Sequence, residues 1–64
     1  MKLPQIQEIL RNYKLFLQRP MSYQGYINET EWLLTLSLSD PDTARIQTKA
    51  FKRHIDAYYP EYKL

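Results

Sequence analysis

The sequence predicts an all-α fold, a small domain of three helices. Apolar residues recur at intervals of three and four over two long segments, as they do on one face of a helix. Prolines at positions 4, 20, 41 and 60 divide the chain into three segments and a tail. A chain of 64 residues has room for one domain, residues 1–64. Its hydrophobic content of 44 % is too high for a disordered chain.

The first helix is predicted over residues 4–18. Pro4 suits a first helical turn, where the missing N–H is not needed. The apolar residues that follow share one helical face: Ile6, Ile9, Leu10, Tyr13, Phe16 and Leu17. Arg19 precedes Pro20, which disfavours helical backbone at Arg19, so we expect the helix to end there.

The second segment has two interpretations. Asn28 and Glu31 have the spacing of a capping box, which predicts a helix over residues 29–38. Four apolar residues instead alternate with a period of two, as in a strand: Trp32, Leu34, Leu36 and Leu38. That pattern would give an α-β-β-α fold with a central hairpin at about 22–38. We favour the helix, because a two-stranded hairpin is marginally stable unless another element covers it.

The third helix is predicted over residues 41–59, with a short tail at 60–64. Asp40 is expected to cap it, with Pro41 at its first position and Asp42 beside its positive end. The predicted core combines the apolar faces of the three helices: Ile6, Ile9, Leu10, Tyr13, Leu17, Trp32, Leu33, Leu36, Phe51, Ile55 and Tyr58.

Charge is distributed unevenly along the chain. Residues 1–20 carry a net charge of +3, residues 21–43 carry −4 without any basic residue, and residues 44–64 carry +3. The isoelectric point near 9.0 allows a polyanionic partner. A total charge of +2 is nevertheless too small to require one.

The residues that carry out chemistry are too few for an enzyme. The chain has no cysteine and a single glycine, which excludes thiolate sites and glycine-rich phosphate loops. His54 is the only histidine, and no acidic residue lies three or four positions from it on its helix. We therefore expect a protein that is not an enzyme and has no cofactor, metal or small-molecule substrate.

The sequence also bears on location. No apolar run approaches the roughly 18–20 residues that cross a bilayer, and charged residues interrupt any signal-like stretch near the N-terminus. A cytoplasmic protein with no membrane partner is therefore expected. The small size and the lack of cysteines and of a catalytic set are typical of small accessory proteins of phages, plasmids and bacterial operons.

One candidate site is a basic row on the third helix. Its members share one face and would meet about three or four phosphates or an acidic partner: Arg45, Lys49, Lys52 and Arg53. Gln47 is expected to be able to reach a base edge. The second and third helices with the turn at 39–42 have helix-turn-helix proportions, although the turn lacks the usual glycine. An ordinary solvated surface explains the same charges.

A second candidate site is aromatic and apolar. Tyr59 and Tyr62 flank Pro60, where both are difficult to place in one core, and Ile46 lies away from the main apolar face of its helix. Tyrosine is enriched at protein interfaces. The leading hypothesis is a non-catalytic binding or regulatory protein that contacts another protein or forms a homodimer. The alternative is a small DNA-binding transcriptional regulator that uses the basic row.

Overall fold

The structure of the chain is a computed structural model that describes residues 3–62, with side chains over residues 5–62. It contains three helices, α1 (Leu3–Leu17), α2 (Tyr23–Ser39) and α3 (Pro41–Tyr58), followed by a 3₁₀ helix at Pro60–Tyr62. No strand occurs within residues 3–62, so the all-α three-helix fold is confirmed and the central hairpin is wrong. Residues 63–64 of the expected tail lie outside the described part of the chain.

Helix α2 begins at Tyr23 rather than at residue 29. The cap is Ser22, which has extended backbone and whose Oγ accepts a hydrogen bond from the Gly25 N–H at 3.1 Å. Asn28 lies within the helix, where its Oδ1 accepts from Nε2 of Gln24 at 3.0 Å. The capping box at Asn28 and Glu31 is therefore wrong, because an earlier serine provides the cap.

The start of α3 agrees with the sequence. Asp40 accepts from the Thr43 N–H at 3.2 Å through Oδ1 and from the Thr43 hydroxyl at 2.6 Å through Oδ2. Pro41 follows at the first position of the helix. These hydrogen bonds lower the pKa of Asp40, since they stabilise the carboxylate. The Asp40 N–H also donates to the carbonyl of Leu36, so this one residue ends α2 and caps α3.

Helix α3 is the centre of the fold and packs against both α1 and α2. The buried cluster draws on all three helices: Tyr13, Leu17, Leu33, Phe51 and Ile55. The assignment of Trp32 and Tyr58 to the core is wrong, because Trp32 is 49 % and Tyr58 69 % exposed. On α2 the buried side is centred on Leu33, one residue after Trp32, so the indole is turned out of the core.

Candidate protein-binding surfaces

A groove of about 930 Å³ lies between α1 and α3. Its floor consists of buried and half-buried apolar side chains: Ile6, Leu10, Leu17, Ile46 and Ala50. Its rim consists of exposed side chains, three of them cationic: Lys14, Lys49, Arg53 and Tyr58. We call this surface the α1–α3 groove. It joins an apolar floor to a positively charged edge.

The four members of the basic row are all exposed on α3, and three of them, Arg45, Lys49 and Lys52, line one shallow cavity of about 420 Å³. Lys49 and Arg53 line the α1–α3 groove, whereas Arg45 and Lys52 do not. Lys52 instead lines a smaller cavity of about 600 Å³ between α2 and α3. Lys49 therefore lines both the groove and the cavity that it shares with Arg45 and Lys52, whereas Arg53 lines only the groove.

The side chain of Gln47 is half-buried, unlike the exposed members of the basic row. Its side-chain oxygen Oε1 is buried and has no hydrogen-bond partner among the described residues. Ala50 and His54 follow Gln47 by three and seven residues, so all three lie on the side of α3 that faces the α1–α3 groove. A side chain held there does not extend from the basic row toward a base edge.

Ile46 is half-buried and lies in the floor of the groove. The sequence assigned Ile46 to a protein interface and Lys49 and Arg53 to a nucleic-acid or acidic-partner site. The structure brings these three residues together in one groove. They lie together because α1 packs beside α3, a pairing that the sequence alone does not specify.

Tyr59 and Tyr62 bind the connection between α1 and α2. The Met21 N–H donates to the hydroxyl of Tyr59 at 3.2 Å, and the hydroxyl of Tyr62 donates to the Met21 carbonyl at 2.8 Å. The two rings stack with centroids 5.1 Å apart, and both pack against the buried cluster. As the sequence indicated, neither belongs to the fully buried core; each is partly buried and hydrogen-bonded within the chain.

The only histidine belongs to the same aromatic region. The ring of His54 lies 4.8 Å from that of Tyr58 and 5.9 Å from that of Tyr59. Within the described residues, no group of three histidine, aspartate or glutamate side chains is placed to hold a metal ion. The packing against two tyrosine rings explains this histidine without assigning it a role in proton transfer.

Sequence reasoning missed a polar contact between α1 and α2. The hydroxyl of the buried Tyr13 donates to Oε2 of Glu29 at 2.5 Å. Burial raises the pKa of Tyr13, and the hydrogen bond and negative charge of Glu29 raise it further. Burial also raises the pKa of Glu29, while the hydrogen bond from Tyr13 acts in the opposite direction. This contact connects the two helices that flank α3.

Helix α2 carries a second apolar surface, which we call the α2 stripe. Its members lie within about 60° of one another around the helix: Tyr23, Ile27, Leu34 and Leu38. Leu38 is 88 % and Leu34 66 % exposed, while Ile27 is half-buried. The sequence did not reveal the stripe, because the predicted helix began after Tyr23 and Ile27.

Comparison with known proteins finds no matching family model, no matching curated protein and no matching solved structure. Among the described residues, no helix is both long enough and apolar enough to cross a membrane.

Proposed function

We propose that this protein is a non-catalytic binding protein that holds an acidic amphipathic helix of a partner protein in the α1–α3 groove. The observation that carries the proposal is the combination of an apolar floor with the cationic rim of Lys14, Lys49 and Arg53. Binding of this kind needs no reactive side chain, and the protein would act by occupying the surface of its partner.

The dimensions of the groove suit a helix. On α3 its lining extends from Ile46 to Tyr58, which is about 18 Å of helix. Amphipathic helices bind such grooves through apolar anchors at positions i, i+3 or i+4, and i+7, a repeat of about 10 Å. The groove is therefore long enough for three anchors over the floor formed by Ile46 and Ala50.

The rim selects the charge of the partner. Lys14, Lys49 and Arg53 are exposed, so each ion pair with a partner carboxylate contributes about 0.2–1 kcal/mol and is screened by salt. Burial of the apolar anchors provides most of the affinity. The cations contribute mainly to the rate of association and to the choice of an acidic partner.

A binding experiment with two matched double variants, one in the groove and one as a control, tests the proposal. The probe is a fluorescent helical peptide of about 18 residues, with leucines on one face and glutamates on the other, compared with the same peptide carrying lysines for glutamates. Lys49→Glu with Arg53→Glu reverses the rim of the groove. Arg45→Glu with Lys52→Glu makes the same change in charge on the same helix, away from the groove.

The acidic peptide is expected to bind the wild-type protein more tightly than the basic one does. The double variant Lys49→Glu with Arg53→Glu should raise the Kd of the acidic peptide about tenfold or more at 50 mM salt, because two attractions become repulsions. The control pair should change the Kd by about twofold or less. Equal effects of the two pairs, or equal binding of the two peptides, would contradict the proposal.

A second candidate function is binding of duplex DNA by the whole basic row. The observation that favours it is the exposure of all four cations along about 12 Å of α3. With Gln47 turned inward, such binding would involve phosphates and would not read bases through that residue. In this case the pair at Arg45 and Lys52 should matter as much as the groove pair, and raising salt from 50 to 200 mM should weaken binding about tenfold or more.

A further inference from the structure

We infer that the helix held in the α1–α3 groove is α2 of a second copy of this chain, so that copies associate head to tail. The inference rests on the proposed function, because it concerns the occupant of the same groove. In this arrangement the α2 stripe of one copy packs into the α1–α3 groove of the next. The two surfaces lie on different sides of the molecule and are complementary to each other.

Helix α2 has the chemistry that the groove requires. It carries Glu29 and Glu31 and no basic residue. Glu31 is exposed and lies beside Ile27 and Leu38 around the helix, so a carboxylate borders the stripe. Because the stripe exposes two large leucines next to a carboxylate, α2 is itself an acidic amphipathic helix.

The two surfaces are similar in length. From Tyr23 to Leu38 the stripe extends about 22 Å along α2, and from Ile46 to Tyr58 the groove lining extends about 18 Å along α3. Within one molecule α2 is fixed against α3 through the buried Leu33, while the groove lies on the side of α3 that faces α1. The complement is therefore available only from another copy.

The accessible surface leaves room for such a contact. The chain exposes 5030 Å², whereas a compact monomer of 7.8 kDa exposes about 4,400 Å². The overall extents of 35 × 22 × 16 Å describe an elongated molecule with faces to cover.

Charge argues against the symmetric alternative, in which two α2 stripes pair with each other. That pairing would bring the Glu31 carboxylates of two acidic helices to one interface, where like charges repel. The head-to-tail contact instead sets Glu31 against Lys49 and Arg53. It leaves a free groove at one end and a free stripe at the other, so the assembly grows with concentration.

A mixing experiment distinguishes the two arrangements. One variant disables the groove, Lys49→Glu with Arg53→Glu, and the other disables the stripe, Leu34→Lys with Leu38→Lys. All four side chains are exposed, and circular dichroism verifies that each variant keeps the helix content of the wild type. The readout is the weight-average mass from sedimentation equilibrium between about 10 µM and 1 mM, the range of weak protein association.

The wild-type mass should rise with concentration beyond that of a dimer, and each variant alone should remain a monomer. An equimolar mixture should form a one-to-one dimer and nothing larger, because only one intact groove can meet one intact stripe. Arg45→Glu, at a position that lines neither the groove nor the cavity that contains Leu34, should leave the assembly of the otherwise wild-type chain unchanged.

Three results would overturn the inference. Self-association of the groove variant, together with loss of association in the stripe variant, would indicate paired stripes. A mixture of the two variants that stays monomeric would exclude the head-to-tail contact. A wild-type protein that is monomeric throughout but binds the acidic peptide would refute only self-association, whereas failure to bind that peptide as well would also refute the proposed function.

Discussion

Two regions contain residues that the sequence suggests as an interface. The C-terminal aromatic end contains Tyr59 and Tyr62, and the α1–α3 groove contains Ile46 beside cationic side chains. At the aromatic end, Tyr59 and Tyr62 use their hydroxyl groups and rings within the chain, where they hold Met21. In the groove, Ile46 and Lys49 face an open cavity. Tyr59 also lines the groove, so the comparison sets Tyr62, which stabilises the chain, against the groove, which is the surface to test for binding.

The largest expected effect is the loss of folding stability when a buried aromatic residue of α3 is truncated. Phe51 is 5 % exposed and stacks on Tyr26 with ring centroids 5.6 Å apart. Phe51→Ala should cost about 3–5 kcal/mol, because it removes a buried ring and leaves a cavity. That loss is as large as the roughly 3–5 kcal/mol that a core of this size supplies, so the chain should be mostly unfolded at 25 °C.

Circular dichroism at 222 nm measures this outcome. Phe16→Ala is the matched control, since Phe16 is also an aromatic residue on a helix but is 48 % exposed. The control should retain most of its helix signal. A folded Phe51→Ala protein with a melting temperature near that of the wild type would contradict the central position given to α3.

A smaller effect is expected from the tyrosine hydroxyls. Tyr62→Phe removes the donor to the Met21 carbonyl and should destabilise the protein by about 0.5–1.5 kcal/mol in urea unfolding. Tyr58→Phe is the matched control, because Tyr58 is 69 % exposed, and it should change stability by less than about 0.5 kcal/mol. Equal stability of the two variants would show that the hydroxyl of Tyr62 does not anchor the α1–α2 connection.

The contact between Tyr13 and Glu29 predicts a pH dependence. Because burial raises the pKa of Glu29 in the folded state, its ionisation opposes folding, and its contribution favours folding more at pH 4.5 than at pH 7. Glu29→Gln keeps an acceptor for the Tyr13 hydroxyl and removes the ionisation. This variant should gain stability relative to the wild type at pH 7, and the gain should shrink as the pH falls.

Urea unfolding at the two pH values measures the difference. Glu31→Gln, an exposed position two residues further along α2, controls for the change in net charge. If Glu31→Gln reproduced the whole effect, the partial burial of Glu29 would not be its cause.

The smallest expected effect is the change in folding stability when two exposed charges on the rim of the groove are reversed. Lys49→Glu with Arg53→Glu should change the free energy of unfolding by no more than about 0.5 kcal/mol per substitution, since both side chains are exposed. The melting temperature, followed by circular dichroism, measures it. A large loss of stability would mean that the rim of the groove is part of the fold and that its binding effects cannot be separated from folding.

Local signals explain which parts of the fold could be predicted. Asp40 and Pro41 form a strong helix start from adjacent residues, so the beginning of α3 agrees with the structure. The beginning of α2 was ambiguous because Ser22 and Asn28 are both capping residues. The earlier start lets Tyr26 pack on Phe51, a contact between distant parts of the chain that no local pattern contains.

The candidate site could be predicted only in part, for a related reason. The spacing of Lys49 and Arg53 placed them on one exposed side of a helix, as the structure has them. Their neighbourhood depends on which helix lies beside α3. Pairing with α1 placed Ile46 next to these cations, whereas the sequence had divided the three residues between two hypotheses.

Nuclear magnetic resonance of the ¹⁵N-labelled protein during titration with the acidic amphipathic peptide tests the central claim most directly. The account predicts that the largest amide shifts fall on groove residues of α1 and α3, among them Leu10, Ile46 and Ala50, with small shifts at Tyr62. Shifts concentrated on Tyr62, which does not line the groove, or spread evenly over the exposed residues of the chain, would contradict it.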